Sequence, residues 1–286
     1  MNLKDYPRRR YSINQFTQPR CFELEGESFY FVMDDGYDYV LSILEDGVCE
    51  LTIEGQTPKI EKYTCLKADD ETYLLFHETT IDGYRTCITY VIDMEQRLVT
   101  ILTCKVGLNP KFPLIVSSHF DFGAIRVDGE ELTFKRHSYT DDLIGTMIEW
   151  HWGSSFFTRH SYYSTHHYRI TSAREVTSNR AMSELAETVH TPSSDEWARY
   201  IKIKEYMYLF DLTEAYRERL GGAEQRWRCN NMAFLQNYDR MYHVGRHFGN
   251  SMIDGKVVPG CGPFGSFGKP VILDPDFVNM PNPYIV

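Results

Sequence analysis

Glu214 ends an alternating run of residues, 208–214, that is typical of a β-strand. Side chains two positions apart on a strand share a face, so Glu214 would point the same way as Tyr208 and Phe210. A carboxyl group that faces an apolar interior loses hydration, which raises its pKa and suits it to proton transfer near neutral pH. The alternative is an ordinary ion pair at the rim with Arg217 or Arg219.

An earlier strand-like run, residues 73–78, ends in two adjacent titratable side chains, His77 and Glu78. Adjacent residues on a strand point to opposite faces, so only one of the two can face the interior. His77 shares its face with Tyr73, whereas Glu78 shares its face with Phe76. The sequence leaves open which face is inward, and both residues are candidates for catalysis.

Glu149 and His151 form a further candidate pair within the run 147–152. A carboxylate and an imidazole two apart on a strand lie close enough to share a proton, which is the usual requirement of acid–base catalysis. The opposite face of the same strand carries Trp150 and Trp152. If the tryptophans fill the interior, Glu149 and His151 face solvent or another domain.

Aromatic side chains are abundant, with 20 tyrosines and 4 tryptophans, and could stack on a flat ligand or simply fill the cores. The candidate ligand-binding residues are Tyr208, Phe210, Trp150, Tyr39 and Tyr73. Histidines concentrate in the second half, at His160, His166, His167, His243 and His247. His243 and His247 could share one side of a strand, but spacing identifies no third ligand, so we predict neither a metal nor a cofactor.

The strands that carry these residues occur in two similar sets, residues 30–107 and 150–249. Period-two alternation dominates both sets, as in the hairpin over residues 88–104. A repeat the size of a small domain indicates duplication of a whole barrel or sandwich, because solenoid units run roughly 20–50 residues. Closure into a barrel removes exposed strand edges. We therefore predict an all-β protein with two antiparallel barrels in tandem.

The predicted organisation is an N-terminal arm over 1–25, a first barrel over 26–132, a second barrel over 133–250 and an extended tail over 251–286. One short helix is predicted over 178–189, where Ser178 precedes apolar residues at helical spacing. Glycines and six prolines predict that the segment from 255 onward lacks regular structure. Its glycine-rich part does not have the lysine or the strand-to-helix context of a phosphate-binding loop.

The composition of the chain limits which classes of partner and which cellular compartment to expect. The net charge of −10 disfavours nucleic acid and anionic membranes, and the basic cluster at 8–10 is expected to be a solvated or partner-clasping arm. Seven cysteines without a CxxC pair indicate reduced thiols in the cytoplasm. No stretch is long enough to cross a bilayer. We expect a small-molecule ligand or substrate as the partner, and a homo-oligomer is compatible with the sequence.

Residues 135–145, KRHSYTDDLIG, together with Glu149, Trp150 and the later run 208–214, resemble the MoaF family. The resemblance covers both halves, is strongest from 120 to 214, and implies two calycin- or lipocalin-like barrels in tandem. Each half is also similar to phenolic acid decarboxylase, a single calycin-like barrel that works without a cofactor. The glutamate of that family matches Glu214 and nearly matches Glu78, whereas its tyrosine pair and its arginine have no matching positions here.

The predicted function is that of a cofactor-independent lyase, hydratase or isomerase acting on a hydroxylated aromatic or polyketide-like molecule. Glu214 with either Glu149 or His151 would transfer the protons. One alternative is a non-catalytic carrier or sensor of the calycin type. The other is a structural module that acts through the basic arm and the glycine-rich tail, and it predicts barrels without a cavity.

Overall fold

The computed structural model describes residues 15–153, 156–174, 191–214, 227–253 and 256–272. Within these ranges the regular structure is entirely β, apart from one 3-10 turn at Glu45–Gly47. No helix in this part of the chain is long and apolar enough to cross a membrane. The helix predicted over 178–189 and the arginines at 8–10 lie outside the described residues.

The first barrel closes from eight antiparallel strands, because β8 pairs with β1 through partners such as Phe31 and Ile125. Alternation along each strand turns one set of side chains inward, and these form an apolar core that includes Phe31, Leu41 and Tyr90. The strands are β1 (Ser28–Met33), β2 (Asp38–Ile43), β3 (Val48–Ile53), β4 (Lys59–Lys67), β5 (Thr72–Ile81), β6 (Tyr84–Asp93), β7 (Leu98–Val106) and β8 (Val116–Arg126).

The second barrel follows the same plan, closed by pairing between β12 and β13 and between β10 and β17. The two-residue strand β9 (Ser138–Tyr139) lies outside the ring and pairs with β13. The ring strands are β10 (Met147–Gly153), β11 (Phe156–Tyr162), β12 (His167–Arg174), β13 (Thr191–Lys204), β14 (Met207–Glu214), β15 (Trp227–Asn237), β16 (Tyr242–Ile253) and β17 (Lys256–Ile272). The prediction of an all-β protein with two tandem barrels is confirmed.

The prediction that the glycine- and proline-rich segment lacks regular structure is wrong for residues 256–272. Lys256–Ile272 was expected to be without regular structure, yet it is the longest strand and closes the second barrel between β16 and β10. Its glycines allow close packing instead of breaking the strand. A Cβ at Gly268 would lie 2.7 Å from the Trp150 ring, and one at Gly262 would lie 3.1 Å from the His247 ring. The second barrel therefore extends to Ile272.

The barrels meet through their outer faces. Apolar side chains from both form one buried cluster, so the strands at this contact are buried on both sides. The first barrel contributes Leu66, Ala68, Leu74, Phe76, Cys87, Val91, Leu102, Cys104, Val116 and Phe120; the second contributes Ile201, Ile203, Met207, Leu209, Ala233, Leu235, Val244 and Phe248. A core of this kind stabilises the two barrels as one unit.

Candidate functional site

Large aromatic side chains line the interior of the second barrel. Phe210 on β14 stands among them, with ring centroids 4.9 Å from Tyr168 and 5.6 Å from Tyr200. Trp150 Nε1 and Gln236 Nε2 both donate hydrogen bonds to the Tyr162 hydroxyl, at 3.3 and 3.0 Å. Burial raises the pKa of Tyr162 to about 12, so this phenol stays neutral.

Two buried imidazoles lie in the same interior. His160 Nε2 is 3.0 Å from Thr158 Oγ1, and His243 Nε2 is 2.7 Å from Ser266 Oγ. Burial lowers the pKa of His160 to about 3. Burial, and then the charge that His160 would carry, holds the pKa of His243 well below its ordinary value. Both rings are therefore neutral near pH 7 and can exchange hydrogen bonds but carry no charge.

Two carboxylates face inward at one end of this interior. Glu214 is buried and continues the inner face of Tyr208, Phe210 and Leu212, as the alternation predicts. Glu196 is also buried and shares the inner face of β13 with Tyr200. Trp197, the residue after Glu196, pairs with Thr213, the residue before Glu214. This register sets the two glutamates opposite each other on neighbouring strands. These strands thus place two carboxylates side by side.

Tyr168 connects the carboxylates to the aromatic interior. Its hydroxyl donates a hydrogen bond of 2.9 Å to Glu196 Oε2. Burial, and then the negative charges of Glu196 and Glu214, raise the pKa of Tyr168 well above its ordinary value. The phenol is therefore a permanent hydrogen-bond donor near pH 7. Together, the three groups can accept a proton at a carboxylate and donate a hydrogen bond from a phenol.

The neighbouring strands extend this polar end of the barrel. Asn230 on β15 pairs with Glu214 and is also buried. His247 on β16 lies against Gly260 and Gly262 of β17, and its ring centroid is 4.8 Å from that of Phe264. The glycines leave room for this imidazole, because a Cβ at either position would approach it to about 3 Å.

Glu149 and His151 lie on the outer face of the same barrel, because Trp150 and Trp152 occupy the interior. His151 Nε2 is 2.9 Å from Glu149 Oε1, and Arg159 Nε donates to Glu149 Oε2 at 2.7 Å. Burial alone would raise the pKa of Glu149, but the hydrogen bonds from Arg159 and His151 outweigh it and lower that pKa. The structure does not bring this pair together with Glu214, and its contacts are those of an ion-pair network.

His77 and Glu78 separate in the first barrel. His77 faces the interior, where its Nε2 is 3.1 Å from the Tyr90 hydroxyl, and burial lowers its pKa to about 4. Glu78 faces outward and pairs with Arg85 at 2.7 Å. Arg85 also donates to the carbonyl oxygens of Gly249 and Gly260 in the second barrel. Glu78 therefore supports the contact between barrels.

The five candidate ligand-binding residues divide between the barrels. Phe210 and Trp150 lie in the second interior, and Tyr208 lies toward its opposite end, where its hydroxyl donates to Asp142 at 3.1 Å. Tyr39 and Tyr73 belong to the first barrel, and their hydroxyls bind Asp35 and Glu23. Of the five, Phe210 contacts Tyr168 beside the carboxylates, and neither Tyr39 nor Tyr73 can contribute to a site that contains Glu214.

Sequence reasoning missed Glu196, Tyr168 and the interior role of His160. The run 196–201 alternates Glu-Trp-Ala-Arg-Tyr-Ile, so the period-two rule could have placed Glu196 on the face of Tyr200. His243 and His247 do share one face of β16. Within the described ranges, however, no group of three His, Cys, Asp or Glu side chains is arranged to hold a metal ion.

Comparison with known proteins found no match to the chain, either among protein-family models or among curated proteins. The resemblance to the MoaF family therefore stays a prediction from the sequence motifs.

Proposed function

We propose that the second barrel binds a small hydroxylated aromatic or polyketide-like molecule and acts on it as a cofactor-independent lyase, hydratase or isomerase. The observation that carries the proposal is the facing pair of inward carboxylates, Glu196 and Glu214, beside Tyr168. A few polar groups that converge on an apolar, aromatic interior are typical of binding and active sites.

The proposed chemistry divides the roles among these three groups. Glu214 accepts a proton from the bound molecule and returns it at a second position, so that no net proton is gained or lost in an isomerisation. Tyr168, kept protonated by its surroundings, donates a hydrogen bond to the oxygen on which negative charge develops. Glu196 holds the Tyr168 hydroxyl in position through their 2.9 Å hydrogen bond. The aromatic rings would stack on a flat substrate.

A carrier or sensor is the second candidate. It is favoured by the uncharged character of the deeper interior, where His160, Tyr162 and His243 are neutral and bonded to neighbouring side chains. That interior suits an apolar ligand without any proton transfer. For both candidates we propose a cytoplasmic location, and the free thiols of Cys49, Cys87 and Cys104 support this proposal.

The test begins with native mass spectrometry and a thermal-shift screen of hydroxycinnamates, flavonoid-like phenols and aromatic amines, followed by product analysis of each compound that binds. For a compound that is consumed, Glu214→Gln is expected to reduce turnover by roughly 10²- to 10⁴-fold while binding persists, because the amide cannot accept the proton.

The matched control is Glu149→Gln, which alters an equally buried glutamate on the outer face and should keep turnover near that of the wild type. Binding without consumption would select the carrier. Full activity of Glu214→Gln, or loss of activity only in the control, would contradict the assignment of Glu214.

A further inference from the structure

The N-terminal segment crosses both barrels before the first strand begins. Phe16 N donates to Trp152 O in the second barrel at 3.2 Å, and the Phe16 ring packs on Phe267. Five residues later Cys21 N donates to Cys65 O in the first barrel at 2.9 Å. Leu24 then enters the core of the first barrel. The segment is therefore held at two points, and one of them is a pair of cysteines.

Cys21 and Cys65 lie next to each other at the first barrel. Cys65 is buried on the inner face of β4, and Cys21 is partly exposed and packs against the same cluster. The main-chain bond from Cys21 N to Cys65 O brings the two residues into contact. A disulfide requires Cα atoms about 4.4–6.8 Å apart, and a direct main-chain hydrogen bond between the two cysteines brings their main chains close together.

The surroundings shift the pKa values of the two thiols in opposite directions. The hydrogen bond from Cys65 lowers the pKa of Cys21 to about 6, against the opposing effect of burial, and Lys67 adds an attractive charge. The hydrogen bond to Cys21, together with burial, raises the pKa of Cys65. The thiolate therefore resides on the sulfur that solvent can reach, and the proton stays on the buried one. Reactive thiols that respond to oxidants have this arrangement.

We propose that Cys21 and Cys65 form a peroxide-sensitive dithiol that locks the N-terminal segment onto the first barrel. The Cys21 thiolate attacks one oxygen of a hydroperoxide and becomes a sulfenic acid, while the departing oxygen takes up a proton and leaves as water or an alcohol. The Cys65 thiol then attacks the Cys21 sulfur, and the sulfenic oxygen leaves as water with the Cys65 proton. Two thiols are oxidised, one peroxide is reduced, and a thiol reductant reverses the change.

A second thiol pair provides an internal comparison. Cys87 in the first barrel and Cys261 in the second also lie together, but at the contact between barrels, where Cys87 is fully buried. Peroxide reaches an exposed thiolate more readily than a buried one. The proposal therefore requires selective oxidation of the Cys21 pair.

The experiment treats the full chain with stoichiometric hydrogen peroxide and maps cross-linked peptides by mass spectrometry without reduction. The expected product is a single Cys21–Cys65 linkage with a mass loss of two hydrogens, reversed by dithiothreitol. Iodoacetamide alkylation of Cys21 in the untreated protein is expected to rise with pH around a midpoint near 6, as its pKa of about 6 requires, whereas an unperturbed thiol has its midpoint near ~8.5.

Three variants separate the roles. Cys65→Ala should leave Cys21 as a sulfenic acid that dimedone traps, whereas Cys21→Ser should form neither the sulfenic acid nor the linkage. Cys49→Ser is the control, since Cys49 lies in the same core but stands opposite Glu61 of β4 instead of Cys65, and it should oxidise like the wild type. A folded protein with no Cys21–Cys65 linkage, or with a Cys87–Cys261 linkage in its place, would overturn the proposal. None of these readouts depends on the chemistry proposed for the second barrel.

Discussion

Lowering the pH from 7.5 to 4.5 is expected to destabilise the protein by about 2–3 kcal/mol for each of two buried histidines, His77 and His160, and a third, His243, adds to this loss. Burial lowers the pKa of His77 to about 4 and that of His160 to about 3, and it holds the pKa of His243 well below its ordinary value. In the unfolded chain each imidazole takes up a proton near pH ~6.5. The unfolded state therefore binds more protons than the folded state below that pH.

The sign of the effect follows from this difference. The contribution of each histidine to stability is fully present above pH ~6.5 and is lost as the pH falls toward the pKa of the folded state. Burial alone would raise the pKa of Asp93, but hydrogen bonds from His137 and Gln96 outweigh it and lower that pKa. Most of the stability is therefore lost at a higher pH than the pH at which carboxylates such as Asp93 become protonated. The protein should unfold in mild acid.

Guanidinium unfolding at pH 7.5, 6.5, 5.5 and 4.5 measures this dependence. His77→Gln, which can keep a hydrogen bond to Tyr90 but cannot be protonated, should remove about 2–3 kcal/mol of the loss between pH 7.5 and 4.5. His166→Gln is the matched control, because His166 is exposed and should leave the pH dependence unchanged. Stability that stays constant from pH 7.5 to 4.5 would show that these imidazoles are not held neutral by burial.

The second large effect is expected on replacing Arg246, the only arginine among the fully buried side chains of the described residues. Its guanidinium joins the two barrels: Nε donates to Thr89 in the first barrel at 2.8 Å, and two further nitrogens donate to Asn231 in the second barrel and to the Cys104 sulfur in the first. Burial alone would lower the pKa of Arg246, but the nearby cysteine thiols and Asp211 raise it. The side chain is therefore charged inside the contact.

This network continues through the contact between barrels. Asn231 Nδ2 donates to Asp211 Oδ1 at 2.6 Å, and Asp211 accepts from Arg199 at 2.6 Å. Arg199 also donates to Ser118 in the first barrel at 2.7 Å. Two arginines and one carboxylate thus satisfy one another inside an apolar cluster. Removing one member leaves the others buried without their partners, which is the costly case for buried charges.

We expect Arg246→Ala to lower the free energy of unfolding by about 3–5 kcal/mol. Because the lost bonds link the barrels, the single unfolding transition should divide into two, and limited proteolysis should cut between the barrels. Arg246→Lys should recover only part of the loss, since an ammonium cannot form the forked bonds.

Arg126→Ala is the matched control, because Arg126 is exposed and stacks on Tyr30 at the surface of the first barrel. It should cost less than about 1 kcal/mol. A single transition in Arg246→Ala within 1 kcal/mol of the wild type would contradict a linking role for this residue.

Period-two alternation was sufficient to predict many of the strands, their duplication into two barrels and the shared face of Tyr208, Phe210 and Glu214. These properties are local or repeat along the chain, so spacing alone specifies them. The glycine and proline content led to a wrong prediction for Lys256–Ile272, because a strand whose glycines allow close packing has the same composition as an irregular segment. Glu196 was not predicted as a site residue, because its role depends on its position opposite Glu214 in the barrel.

By itself, the sequence determined which side chains share a face; the tertiary structure decided which face is inward. On β5 both faces are buried, because Leu74 and Phe76 pack against the second barrel while Leu75 and His77 fill the first. The hydrophobicity of the side chains then favours neither face as the inner one, and the contact between the barrels determines which face points outward. On β10 the larger apolar rings take the interior and turn Glu149 outward, since burying tryptophan removes more apolar surface from water. The register of the β13–β14 hairpin sets Glu196 opposite Glu214, whereas Tyr168 joins Glu196 only through the pairing of β12 with β13 that closes the barrel.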